Sequence, residues 1–225
     1  MKTIVYIDGY NFYYGCLKHT SYKWLNFYQL FSQHIVSSIT PEADVIEVKF
    51  FTANIQAKFA TKGQQAVNSQ TIYHNALLTT NPDQMTIIKG YYSSEQSKPM
   101  AYVNPPDKSN RTPIWKIEEK QTDVQMALHI YRDASMGLCE QIVVCTNDTD
   151  LAPSMALVKR DFSHIKIGAV MPIRQRAIRP ANKEICSISD WSRQYILDEE
   201  LKASQLPSVI PKPNGRGVYT KPKYW

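Results

Sequence analysis

Apolar and polar positions fall into short runs that alternate in period along the chain. Residues 3–8 form an apolar run with β-branched members that stops on Asp8. Runs of the same kind occupy 44–52 (Val45, Ile46, Val48, Phe50, Phe51), 85–92, 141–146 and 164–170. Such short, nearly continuous runs are the signature of strands buried on both faces of a parallel sheet. Between them the period lengthens. Asn26-Phe27-Tyr28-Gln29 has the form of a capping box, with Phe27, Leu30, Phe31, His34 and Ile35 on one helical face. Helices are also predicted over 60–79, from Thr122, where Thr122-Asp123-Val124-Gln125 fits a capping box, and over 150–160. A last apolar run, 185–188, predicts a sixth strand before a helix opened by Asp190. The alternation predicts an α/β fold, a doubly wound, mainly parallel sheet of about five strands with helices on both faces.

Two stretches break the pattern. Residues 93–115 contain Pro99, Pro105, Pro106 and Pro113 and are expected to form a loop or small hairpin excursion. Residues 206–225 contain Pro207, Pro211, Pro213 and Pro222 and few apolar positions, and are expected to be extended or disordered. The organisation is thus one domain over 1–200 and a Pro-rich tail over 201–225.

Charge sharpens this division. The 225-residue chain carries a net +6. Beyond Glu200 there is no acid, while Lys202, Lys212, Arg216, Lys221 and Lys223 are basic. A basic, aromatic-containing tail is suited to a polyanion, is simply solvated, or packs on its own domain or a neighbouring subunit with Trp225 as the anchor. Cys16, Cys139, Cys145 and Cys186 show no C-x-x-C spacing and are read as free thiols. The five histidines have no ligand spacing, and no run is long and apolar enough to span a membrane. A soluble, cytoplasmic protein is expected.

The candidate chemistry sits at strand ends. Asp8-Gly9-Tyr10-Asn11 ends the first strand, and Thr146-Asn147-Asp148-Thr149-Asp150 ends the fourth. Sites in open α/β sheets form outside the carboxyl ends of strands, so the two clusters can meet. Asp123, in the first turn of the Thr122 helix, joins them or merely complements the helix dipole. Asp148 and Asp150 compete to cap the next helix, leaving one for chemistry. Glu118 and Glu119 are read as a solvated run, Lys120, Arg174, Arg176 and Arg179 as phosphate contacts, and Thr146 and Asn147 as phosphate contacts or as residues that hold the turn through side-chain bonds to backbone. Tyr10, Tyr13 and Tyr14 are placed to stack on bases, or, for at least one of them, to serve as a core or rim aromatic. Gathered carboxylates call for a hard cation, Mg²⁺ or Mn²⁺, held by Asp8, Asp123 and Asp148.

The opening Tyr6-Ile7-Asp8-Gly9-Tyr10-Asn11, the pair Lys120 and Asp123, and Thr146-Asn147-Asp148-Thr149-Asp150-Leu151-Ala152-Pro153 resemble the signatures of the NYN domain, a LabA-like branch of the PIN-like nucleases. The resemblance covers about 2–200. It implies a metal-dependent ribonuclease cutting single-stranded RNA, with Asp8, Asn11, Asp123, Asp148 and Asp150 as its catalytic set. Thr146-Asn147 stands where the family more often has Ser-Gly. A non-catalytic metal- or nucleic-acid-binding module is the alternative, and a homo-oligomer is left open. The full chain is also similar to bacterial proteins named 6-hydroxy-3-succinoylpyridine hydroxylase, a monooxygenase of nicotine degradation. The chain has no G-x-G-x-x-G, no His-His-carboxylate spacing and no haem motif to support oxygen chemistry. The residues therefore favour the nuclease.

Overall fold

A computed structural model describes residues 1–177 and 179–225. The chain begins with β1 (Lys2–Asp8), which runs directly into α1 (Gly9–Phe12) and a π-helical turn over Tyr13–Leu17. Then come α2 (Phe27–Gln29), α3 (Val36–Ile39), β2 (Asp44–Ala53), α4 (Gln64–Thr80) and β3 (Met85–Ser97). The second half holds β4 (Ile114–Lys120), α5 (Thr122–Ser135), β5 (Gln141–Cys145), α6 (Ala152–Asp161) and β6 (Lys166–Val170). It closes with α7 (Lys183–Ile188), β7 (Trp191–Arg193), α8 (Asp198–Ala203) and the hairpin β8 (Val209–Pro211) and β9 (Val218–Thr220).

The main sheet has seven strands in the order β4-β3-β2-β1-β5-β6-β7. All neighbours are parallel except β3 and β4. β1 lies at the centre, and both of its faces are covered. Val5 and Ile7 pack with Phe27, Leu30, Phe31, Tyr73 and Leu77 from α2, the turn after it and α4. Ile4 and Tyr6 pack with Met126, Ile130, Met155 and Val158 from α5 and α6. A strand buried on both sides has no reason to alternate apolar with polar, which is why these runs read as continuous. Asn26 caps α2 as expected, its side chain accepting from the backbone N–H of Gln29 at 3.3 Å. The four cysteines are free. Among the described residues no helix is long and apolar enough to cross a membrane.

Four expectations need correction. First, the sheet has seven strands rather than about five, because the hairpin reading of 93–115 holds and adds β4, and β7 extends the opposite edge. β3 runs on to Ser97, and β4 returns antiparallel beside it. Second, the apolar run 185–188 is helix α7, because Asn182 accepts from the backbone N–H groups of Glu184 and Ile185 and so nucleates a helical turn. Asp190 opens no helix. It accepts from the Ile167 backbone N–H at 2.7 Å and from Lys159 at 3.0 Å. Third, Thr122 caps nothing with its side chain; its hydroxyl donates to Glu119 instead. Fourth, the tail is not free. Leu206 and Ile210 are buried, and the Trp225 ring lies 6.3 Å from Trp24 and 5.5 Å from Tyr73, centroid to centroid. Its few apolar side chains are enough to dock it on α4.

Candidate functional site

The strand order reverses at β1, with β2 on one side and β5 on the other. A crevice opens at the carboxyl ends of strands on either side of such a reversal. Ile7 pairs with Cys145 in register, so the next residues, Asp8 and Thr146, stand side by side. Asp8 is buried, and three donors hold its carboxylate. The Asn11 backbone N–H donates to Oδ1 at 2.9 Å, Asn11 Nδ2 to Oδ2 at 2.6 Å, and Thr146 Oγ1 to Oδ2 at 2.9 Å. Burial still lifts the Asp8 pKa above the ordinary carboxylate value, although those hydrogen bonds pull it down. Gly9 is required here for close approach, since a Cβ would run into the Phe51 carbonyl oxygen and the Phe50 ring.

The Asp8 network predicts a measurable stability effect. Asp8→Ala is expected to leave the Asn11 and Thr146 donors buried and unpaired, at a cost of about 3 kcal/mol. For a chain of this length that lowers Tm by roughly 6–12 °C. Calorimetry on the purified variant checks it, and an unchanged Tm would show that the network is not structural.

Asp8 forms the floor of a cavity of about 620 Å³, in the range of small-molecule sites. Its walls are Tyr10, Asn11, Tyr14, Ile55, Gln56, Phe59, Ala60, Tyr92, Ile117, Glu118, Glu119, Asp123 and Asp148. Asp123 enters from the first turn of α5. Its pKa is raised to about 6, first by partial burial and then by the charges of Asp8, Asp148 and Asp150. Asp148 caps the turn Thr149–Leu151, its Oδ1 accepting from the Asp150 N–H at 3.1 Å. Asp150 is exposed outside the cavity. Tyr10 and Tyr14 pack at 4.5 Å between centroids on one wall. Tyr92 faces them, its hydroxyl pKa raised by burial and then by Glu119.

Asp8, Asp123 and Asp148 thus line one cavity. As placed, however, they are not a ligand shell: no group of three or more His, Cys, Asp or Glu among the described residues is arranged to hold a metal ion. Several other sequence-selected residues face elsewhere. Lys120 does not line the cavity and pairs with Glu118 at 2.8 Å. Arg174 forms a bidentate pair with Asp198. Arg176 is exposed outside the cavity, and Tyr13 likewise does not line it. Asn147 clamps the chain near Asn182, with Nδ2 donating to the Pro180 carbonyl and Oδ1 accepting from the Asn182 N–H. Thr146 holds Asp8 rather than a phosphate. Conversely, Glu119, Tyr92, Gln56 and Phe59 were not legible as site residues. Glu119 had looked like part of a solvated run; its placement opposite Tyr92 in the β3–β4 register brings it inward.

No family model matches the chain. Over its whole length it is 40% identical, across 242 aligned residues, to the 6-hydroxy-3-succinoylpyridine 3-monooxygenase HspA of Pseudomonas putida, 75% of which is covered. A crystal structure of a protein of unknown function from Vibrio parahaemolyticus superposes with a TM-score of 0.47 at 14% identity, covering 85% of this chain and 91% of that one. The end-to-end relation to a monooxygenase overturns the expectation of a metal-dependent ribonuclease, and with it the nuclease, hydrolase and RNA-binding reading. The strand-end motifs place acids around a cavity. Which reaction those acids serve is not fixed by the motifs, because one fold hosts many chemistries.

Proposed function

Because the chain belongs to the family of the 6-hydroxy-3-succinoylpyridine 3-monooxygenase HspA, an enzyme family, we propose that it is itself a monooxygenase acting on a hydroxypyridine ring seated in the Asp8–Asp123 cavity. The full-length identity carries this reading. The cavity supports it, being large enough for one substituted ring and walled by Tyr10, Tyr14, Phe59 and Tyr92, which offer stacking faces.

Positions 3 and 6 of a pyridine are para to each other. Electron density pushed from a 6-hydroxyl therefore reaches carbon 3, and it increases when the hydroxyl proton leaves. Asp123 is suited to take that proton, since a pKa of about 6 leaves it ionised yet basic near neutral pH. The succinoyl carboxylate is repelled by the acidic floor and points to the rim. There Lys58 Nζ lies 4.7 Å from the Phe59 ring centroid and 5.3 Å from that of Trp115, available as its counter-ion.

Taking an oxygen atom from dioxygen requires a flavin or a redox-active metal. The cavity fits neither. Among the described residues no Lys, Arg or His lines it to meet a flavin phosphate or to ligate iron in the usual nitrogen-donor sets. The cavity is accordingly read as the seat of the ring alone. The test supplies 6-hydroxy-3-succinoylpyridine under ¹⁸O₂, with reduced flavin in one arm and ferrous iron with ascorbate in another. A ring product carrying ¹⁸O is expected in one arm. Absence of label in both, together with no calorimetric binding of the pyridine, would sink the reading.

A further inference from the structure

We infer that the free edge of β4 is an antiparallel docking strand for a second copy of this chain, which completes the cavity wall. β2 ends at Ala53, opposite Gly90, so residues 91–97 of β3 pair only with β4. The two strands project as a ribbon beyond the main sheet. A two-stranded ribbon is marginal in water on its own, and an unpaired edge is a template for another strand. The ribbon also exposes apolar side chains: Ile114 is 45%, Trp115 54% and Ile117 44% accessible.

The charge order of β4, Ile114-Trp115-Lys116-Ile117-Glu118-Glu119-Lys120, selects the occupant. In a two-fold antiparallel pair each residue faces its mirror about the strand position on the axis, and opposed side chains share a face. With Ile117 on the axis, Lys116 and Glu118, which pair with each other within one chain at 2.9 Å, each also face the opposite charge on the partner, and Ile117 meets the partner's Ile117. Trp115 directly opposes the partner's Glu119 and lies diagonally across from the partner's Ile117, within reach of an aromatic ring, while Ile114 opposes the partner's Lys120. All seven residues pair. Moving the axis one residue either way sets Lys116 against itself or Glu118 against itself, which is destabilising. The sequence of this edge is therefore complementary to itself in one register.

That register bears on the cavity. Ile117, Glu118 and Glu119 line it, and Trp115 shares the strand face of Ile117 and Glu119 and packs on Phe59 at 5.7 Å. The partner's Ile117 and the partner's Trp115 then extend the same apolar wall outward from the rim.

Light scattering on the eluting full chain tests the inference. Wild type is expected at twice 25.8 kDa. Lys116→Glu and Glu118→Lys should each raise the dimer dissociation constant at least tenfold, and the double exchange should restore the dimer. Far-UV circular dichroism confirms that each variant folds. Directly opposed Cα atoms in such a pair are about 4.5–5.5 Å apart, within disulfide range. Ile117→Cys in a Cys186→Ser background should therefore cross-link to itself under mild oxidation, whereas Cys186→Ser alone should not. A monomeric wild type, a dimer indifferent to both single exchanges, a double exchange that fails to restore it, or no cross-link at 117 each overturns the proposal.

Discussion

Removal of residues 206–225 is expected to lower Tm by about 12–48 °C or to prevent folding. Leu206 and Ile210 are buried in the core that covers one face of β1. Losing a buried Leu or Ile costs about 2–5 kcal/mol each, and the part-buried Trp225 adds roughly 2 kcal/mol more through its contacts with Trp24 and Tyr73. Hydrogen bonds go as well: Trp24 Nε1 donates to the Pro207 carbonyl at 2.8 Å, the Leu206 N–H to the Trp24 carbonyl at 2.9 Å, and the Tyr224 hydroxyl to Ser69 Oγ at 2.8 Å. Trp24 is fully buried beneath the tail, so truncation exposes one of the largest side chains of the core. At roughly 2–4 °C per kcal/mol the sum reaches the stated range. Scanning calorimetry of the truncated chain beside wild type decides it. A shift below a few degrees would mean that the docked tail contributes little.

Asp123→Asn is expected to reduce turnover of the hydroxypyridine by about 10²–10⁴-fold, the usual effect of losing a general base. In wild type the rate should rise as pH passes through about 6, where the Asp123 carboxyl ionises. The variant should lack that limb, because an amide takes no proton. Stability moves the other way. The folded-state pKa lies above the ordinary 3.8, so the folded protein binds a proton more tightly than the unfolded chain. Wild type therefore gains stability from this group as pH falls from about 6 towards 4 and loses that gain as pH rises through 6. Asp123→Asn, which removes the repulsion with Asp8, Asp148 and Asp150, should raise Tm at pH 8 and leave it nearly unchanged at pH 4. Retention of the full rate with an unaltered pH profile would remove Asp123 from the chemistry. The Tm comparison would still report on the acid cluster.

The β4 edge illustrates how legibility fails. Pro105, Pro106 and Pro113 precede it, and its seven residues mix charge and apolar groups on both faces. A strand that buries neither face completely carries no clean alternation, so only its pairing with β3 reveals it. The run 185–188 failed for a different reason. Four apolar residues fit a strand or a helical turn equally well, and the arbiter was the Asn182 cap just upstream. Lys120 reads as a phosphate contact because it stands three residues before Asp123, and Arg174 because it follows the fifth strand at the same sheet edge. Their nearest carboxylates in space, Glu118 and Asp198, claimed them instead.

By itself the sequence determined the parallel α/β core and the meeting of Asp8 with Thr146 and Asp148. Runs such as Ile4–Ile7 and Ile142–Cys145 must be buried on both faces, and adjacent strands of equal register bring their ends together. Only the tertiary structure decided that Asp123 faces those acids, that Glu119 and Tyr92 close the cavity, and that the tail docks through Trp225. Each of these depends on contacts between residues far apart in the chain or on which face of a ribbon turns inward. Local periodicity carries neither kind of information, because it records burial along one element and not the partner that provides it.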